Sequence, residues 1–361
     1  MGGMVKMEID RMTNKVNINW LDLLKVIAVF MVIVAHANDC IILNQDGNFN
    51  FEWGTYIGSL YRFAVPLFVL ISGVLLLPAK LGTVEFYKKR LWRIIPALLF
   101  WGLAYVLFDG LILNHKSWDK ILMEIAKLPL SFSDSAPHLW YLYMLAGLYL
   151  IIPIVSPWLV KATKRELELV LAIFIFSTFI PYLKFLTGLG FGVCDWNEFH
   201  SFYYLSGFIG YLLMGYYLYT YLPGWSIKVK RWTGAFLFLT GYGITYYLTV
   251  SVPFSIPNIE MVWYYCSPNV LLEAVGIFLL VEGMEFKEGP FLKVIQTIAH
   301  YSFGIFLVHY FFIGVIFKFM AARFELHPGL NVLLSCTLTL LIAFATVWIL
   351  AKFRLTRKLV M

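Results

Sequence analysis

Lys25, His36, Arg62, Glu273, His309 and Lys318 each interrupt a stretch that is otherwise apolar enough to sit inside a membrane. His138 opens another such stretch, and Arg90 and Arg93 stand one turn apart at the start of a further one. Ionisable groups are costly in hydrocarbon, usually face an interior cavity, and are functional candidates by default. A neutral imidazole near pH 7 can move a proton, so catalysis is one reading of His36; a packing histidine hydrogen-bonded between helices is the other. Arg62 could pair with a backbone carbonyl or with Glu273, and His309, beside Tyr310 and Phe311, could be interfacial. Lys25, Arg90 and Arg93 have the chemistry of a phosphate-holding mouth, and equally that of lipid-headgroup contacts or snorkelling topology signals.

The composition says what kind of element must position these residues. The 361 residues are 61% hydrophobic and 14% charged, against about 45–50% and about 25% in an ordinary soluble domain. Mean hydropathy is +0.78. A water-soluble fold is thereby excluded. Runs of about 20 mostly apolar residues, enough to span a bilayer at 1.5 Å per residue, recur from end to end. They predict an all-α integral membrane protein, a polytopic bundle of about ten transmembrane helices. The expected spans are roughly residues 20–43, 54–78, 91–113, 138–160, 167–186, 202–221, 232–252, 262–281, 291–320 and 329–352. Residues 1–19 would form a cytoplasmic N-terminal segment, 20–352 the transmembrane domain and 353–361 a cytoplasmic basic tail. The first run is long enough to stay as an anchor instead of being cleaved as a signal.

The connectors separate by charge. Lys80, Lys88, Lys89, Arg90 and Arg93 follow the second span, Lys161, Lys164 and Arg165 the fourth, Lys228, Lys230 and Arg231 the sixth, and Lys352, Arg354, Arg357 and Lys358 the last. Alternate connectors hold far fewer cations, with Lys116, Lys120 and Lys127 making the third loop the poorest fit. The positive-inside rule then places both termini in the cytoplasm. It also assigns the net charge of +7 to orientation, with no nucleic acid as partner. The outer connectors are too short to hold a soluble domain, so the chemistry must lie within the bundle. Neither an internal repeat nor a helix broken at the midplane is expected. Cys40, Cys194, Cys266 and Cys336 lack metal-ligand spacing, and a bridge between Cys40 and Cys194 is left open.

Helix rise turns this topology into depth. His36 falls roughly 24 Å up a ~30 Å core, and Arg62 about 12 Å below the outer face. His309 is again in the outer half, and His138 begins its helix at that face. Four helices distant in sequence thus deliver basic or titratable groups to one layer, with Lys25, Arg90 and Arg93 at the opposite one. The aromatic runs His138-Leu-Trp140-Tyr-Leu and Trp263-Tyr264-Tyr265 read as interfacial belts before they read as a substrate box.

In order along the chain, Trp20-Leu-Asp22-Leu-Leu-Lys25 with Ala35-His36, Arg62-Phe-Ala-Val-Pro66 through Ser72-Gly73, Lys89-Arg90-Leu-Trp-Arg93-Ile-Ile-Pro96, His138-Leu-Trp140-Tyr-Leu and Tyr301-Ser302-Phe-Gly304 through His309 resemble the membrane acyltransferase 3 family. The likeness covers nearly the whole chain and is greatest to the short form, which lacks an extracytoplasmic domain. It implies an acyl-CoA-dependent O-acyltransferase (O-acetyltransferase) of the cell membrane, in bacteria the inner or cytoplasmic membrane. The acetyl group would pass from cytoplasmic acetyl-CoA to a hydroxyl of an extracytoplasmic or lipid-linked glycan, with membrane lipid as the remaining partner and no metal.

The family's first-helix motif, a basic residue followed eleven positions later by histidine, is carried by Lys25 and His36, although arginine is the commoner basic residue there. Lys25, Arg90 and Arg93 would hold CoA. His36 would act as general base or as a transient acyl carrier. Arg62, His309 or Tyr264 would stabilise the oxyanion, and His138, Trp140 and Glu273 would contact the acceptor. Lys25 and His36 lie roughly 16 Å apart along one helix, a separation of the order of a pantetheine arm. CoA could therefore keep its phosphates at the cytoplasmic mouth with its thioester beside His36. A transporter or flippase for a lipid-linked sugar is the main rival, followed by a non-catalytic scaffold.

Overall fold

Backbone groups in hydrocarbon must be satisfied within their own segment, and this chain meets that demand with helices. The computed structural model describes residues 19–42, 51–195, 200–252 and 256–361. In chain order the α-helices are α1 (Asn19–Ile42), α2 (Phe51–Leu60), α3 (Ala64–Leu76), α4 (Thr83–Phe108), α5 (Trp118–Lys127), α6 (Trp140–Lys161), α7 (Lys164–Thr178), α8 (Ile180–Thr187), α9 (Phe208–Tyr221), α10 (Ile227–Ser251), α11 (Ile256–Val262), α12 (Pro268–Val281), α13 (Pro290–Val308), α14 (Tyr310–Arg323), α15 (Pro328–Leu350) and α16 (Arg354–Val360). The described residues contain no β-strand. Most of the expected 1–19 segment, the end of the first span at Leu43 and the connector that follows it lie outside the described residues.

The protein is an all-helical, multi-pass membrane bundle. Among the described residues, seven segments are long and apolar enough to cross a membrane: Asn19–Ile42, Glu52–Leu76, Thr83–Leu113, Pro137–Lys161, Lys164–Thr187, Pro290–Val308 and Pro328–Leu350. The expected spans at 202–221, 232–252 and 262–281 coincide with α9, α10 and α12. The last of these helices begins only at Pro268, and α9 only at Phe208 after turns.

Three expected spans are interrupted, among them the fifth, 167–186, which divides into α7 and α8 at Phe179, just ahead of Pro181. The second span breaks at Tyr61–Phe63, between α2 and α3. Pro66 accounts for this: it has no N–H for the Arg62 carbonyl four residues back, and its ring crowds that oxygen. The ninth expected span, 291–320, divides into α13 and α14 at His309. A further irregularity is a π-helical turn at Asp109–Leu113 that extends α4, a device often found at functional sites.

At the centre stands α1, packed against α2, α3, α12, α13, α14 and α15. Its sequence is apolar around most of the helix, as a buried helix requires, with Leu21, Leu24, Ala28, Val29, Val32, Ile33 and Ala37 all enclosed. The His36 half belongs to a core shared with α4, α6, α13 and α15. The Trp20 half belongs to one shared with α3, α9 and α12. Helices α3 and α9 touch backbone to backbone, where a Cβ at Gly73 would run into the Leu212 carbonyl and one at Gly215 into that of Leu70. Gly73→Val is therefore expected to lower stability by at least about 1–3 kcal/mol, the usual range for overpacking. Gly147→Ala, at a helical site with nothing within 4 Å, should leave it unchanged or slightly raised. Thermal unfolding of both variants in detergent checks this, and equal midpoints would refute the close contact.

Several cations read as topology signals have structural partners as well. Lys230 pairs with Glu282 at 2.6 Å in a buried bridge, and Arg231 Nη1 donates to the Leu279 and Glu282 carbonyls at 2.6 and 3.0 Å, where α12 ends. In the poorly fitting third loop, Lys116 bridges Asp109 at 2.8 Å and Glu124 at 2.6 Å. Burial alone would raise the Glu124 carboxyl, but bonds from Lys116, Ser133 and Ser135 outweigh it and hold the group below its usual range. The basic stretch 353–361 contains α16, which packs on α4, α13 and α15 and is fixed by Trp101 Nε1 donating to the Leu359 carbonyl at 2.9 Å. All four cysteines are free.

Candidate active site

Three histidines from distant segments meet beside α1. His36 comes from α1, His138 from the 3₁₀ turn Pro137–Leu139 ahead of α6, and His309 from the junction of α13 and α14. Their ring centroids lie 6.1 Å (His36 to His138), 5.3 Å (His36 to His309) and 5.2 Å (His138 to His309) apart. Tyr310 stacks on His138 at 4.9 Å and meets His36 edge-on at 5.0 Å. Tyr105 of α4 closes the far side, 5.0 Å from His138, with its hydroxyl donating to the Leu307 carbonyl at 2.8 Å.

Hydrogen bonds distinguish the three rings. The Nδ1 of His309 lies 2.7 Å from the Phe306 carbonyl, which can only accept, so Nδ1 holds the proton and the neutral ring keeps a lone pair on Nε2. On that tautomer, Nε2 of neutral His309 is an acceptor. Neither this Nε2 nor either nitrogen of buried His138 has a hydrogen-bond partner among the described residues. His36 differs, because its Nδ1 lies 3.1 Å from Asp39 Oδ2. A carboxylate on Nδ1–H leaves Nε2 as the basic nitrogen and favours the imidazolium that proton uptake creates, the logic of a triad's acid–histidine pair. Asp39→Asn is expected to lower kcat about 10²-fold while the donor KM stays near wild type. Steady-state kinetics decide, and a change confined to KM would refute the orienting role.

His36 and Asp39 line two cavities at once. The larger, about 880 Å³, runs past Cys40, Tyr105, Asp109, Asp134, Ser135 and the α14 face bearing Lys318. Its rim is tied by the Lys116 bridges and by Ser135 Oγ donating to Asp109 Oδ2 at 2.9 Å. The smaller, about 80 Å³, is enclosed by Tyr61, Arg62, His138, Trp140, Tyr141 and Tyr265 among others. Arg62 sits in the α2–α3 break, its Nε donating to the Gly58 carbonyl at 3.0 Å and its Nη2 to the Tyr61 hydroxyl. The guanidinium lies over the Trp263 ring at 3.9 Å and the Tyr61 ring at 4.4 Å.

His36, His138, Arg62 and Trp140 therefore adjoin one small space, with His309 behind it. Tyr264 does not join them: it is half exposed, and its neighbour Tyr265 lines the cavity and stacks on Trp140 at 5.5 Å. Glu273 lines neither cavity. It is buried between α10 and α12, accepts from Thr245 at 2.7 Å, and interacts electrostatically with Arg62 from behind. Lys25 is held by Asp22 at 2.8 Å, and no contact among the described residues joins it to the arginine pair. Arg93 lies over Phe303 at 5.2 Å and Arg90 over Phe86 at 5.9 Å, both acting through space on Tyr149. Sequence reasoning missed Asp39, Tyr105, Tyr265 and Tyr310. Only Asp39 had a signal, its i+3 spacing from His36 on one helix face. Among the described residues, no group of histidine, cysteine and carboxylate side chains is arranged to hold a metal.

A multi-pass helical membrane protein with a histidine-centred interior site is the class that fold and site define. A family model described as an acyltransferase domain, acyltransferase 3, matches residues 18–348. The chain belongs to that family and is a membrane acyltransferase. No curated protein and no solved structure matches it.

Proposed function

We propose that the protein is an acyl-CoA-dependent O-acetyltransferase that moves an acetyl group from cytoplasmic acetyl-CoA to a hydroxyl of an extracytoplasmic or lipid-linked glycan. In this reading both termini are cytoplasmic, Arg90, Arg93 and Lys25 face the CoA phosphates, and the His36 end lies in the outer half of the bacterial cell membrane. The observation that carries it is His36 on the wall common to both cavities, with Asp39 on Nδ1 and Arg62 across the smaller space. Nε2 of His36 takes the acceptor's hydroxyl proton as that oxygen attacks the thioester carbonyl. Arg62 faces the negative charge that develops on the carbonyl oxygen. Collapse expels the CoA thiolate, which recovers the proton from the imidazolium, leaving an ester and CoA–SH.

The helix breaks at Arg62 and His309 are features that transporters also show, so a carrier of lipid-linked sugar is the alternative. One assay separates the two: CoA release from acetyl-CoA by purified protein in detergent, comparing wild type, His36→Ala and Arg93→Ala. His36-dependent release, with weaker donor affinity in Arg93→Ala, supports the transferase. Absence of both release and CoA binding, with candidate glycans present, supports the carrier.

A further inference from the structure

The larger cavity holds a cation that the chemistry above leaves unused. Among the described residues, the charged ones lining it are Asp39, Asp109, Asp134 and Lys318, with His36 at its inner end. Asp39 is engaged by His36 and Asp109 by Lys116, whereas Lys318 has no hydrogen bond or ion pair among the described residues. Gly314, Lys318, Ala321 and Ala322 share one face of α14 and all line the cavity. Small side chains around the lysine leave the space before it open. Phe108, Leu113, Val315 and Phe317 supply an apolar wall, and Leu113 and Val315 are also exposed on the outside of the bundle. The wall thus continues onto surface that a spanning segment turns toward lipid. Toward the inner end, Lys318 interacts electrostatically with Cys40, whose thiol donates to the His36 carbonyl at 3.4 Å.

An occupant matching this space is apolar along one side, anionic opposite Lys318, and bears a hydroxyl close to the anion, where His36 can reach it. We infer that Lys318 binds the phosphate ester of a lipid-linked acceptor, whose chain lies along the apolar wall and whose first sugar faces His36. This deepens the proposed transferase reading and rests on it. Asp134, which also lines the cavity and has no ion pair among the described residues, would accept from sugar hydroxyls. A bilayer phospholipid carries the same phosphate chemistry, so the test must separate the two sources.

Wild type, Lys318→Ala and Lys318→Arg are compared as full chains in detergent. Binding of a prenyl-phosphate-linked monosaccharide is titrated, and its acetylation is compared with that of the free monosaccharide. Lys318→Ala should weaken binding and raise KM for the phosphate-linked acceptor about tenfold or more. The free sugar, kcat and acceptor-independent acetyl-CoA hydrolysis should be unaffected, and Lys318→Arg should restore affinity. An equal loss for both acceptors, or none for either, overturns the inference. So does the result that Lys318→Ala sheds phosphatidylglycerol from mixed phosphatidylglycerol and phosphatidylcholine vesicles while acceptor affinity holds, which would make the site a headgroup site. Lysine-dependent binding of the prenyl-linked sugar without any acetyl transfer would uphold the site and reject the enzymatic reading.

Discussion

His36→Ala is expected to abolish acetyl transfer, lowering kcat about 10²- to 10⁴-fold, while the donor is still bound. Donor affinity in this reading resides in Arg90, Arg93 and Lys25, the last roughly 16 Å from His36 along α1, so the two functions should fail independently. Steady-state transfer and equilibrium CoA binding on the same preparation measure both. The imidazole lies on the surface of two cavities, and its removal takes no large group out of a packed core, so the variant should fold. If it folds but loses CoA, His36 contributes to binding and the general-base assignment fails. If acetyl-CoA alone leaves acetylated protein, and His36→Ala does not, the ring is a covalent carrier instead of a base, and ping-pong kinetics follow.

Helical rise along ten apolar runs was enough to foresee that His36, His138 and His309 share a layer, because depth in a straight helix depends only on residue count and direction. Rotation about the axis is harder. Residues 263–267 form a turn between α11 and α12, so no helical period decides that Tyr265, and not Tyr264, lines the small cavity. The break before α3 could have been anticipated from Pro66. The interruption at His309 has no proline or glycine beside it, and the local sequence offers no physical account of it. Whether His309 donates or accepts depended on the Phe306 carbonyl, a backbone contact that composition does not reveal. Charge patterning marked Lys116 as a misplaced topology signal, yet its two carboxylate partners arrive from the π-turn and from α5, neither visible as an element in the apolar pattern. Glu273 was legible as a costly buried acid, but its place behind Arg62 follows from how α12 packs on α10.

Arg62→Lys should be nearly as damaging as Arg62→Ala, each lowering kcat about 10²- to 10³-fold, the loss typical of one oxyanion donor. Lysine retains the charge but cannot be held as this arginine is, over the Trp263 ring with Nε on the Gly58 carbonyl and Nη2 on Tyr61. Its compact, flexible ammonium lacks the fork that fixes direction. A structural explanation competes, since removing Arg62 takes a positive charge away from the buried Glu273 carboxyl and could loosen the packing of α12. The double variant Arg62→Ala with Glu273→Gln separates the effects. It should recover the unfolding temperature lost in Arg62→Ala without recovering turnover, because the amide relieves the electrostatic imbalance but puts no donor in the small cavity. Near-wild-type kcat in Arg62→Lys, or recovery of kcat along with stability in the double variant, would make Arg62 a packing residue of the helix break and leave Tyr310 as the donor to test next.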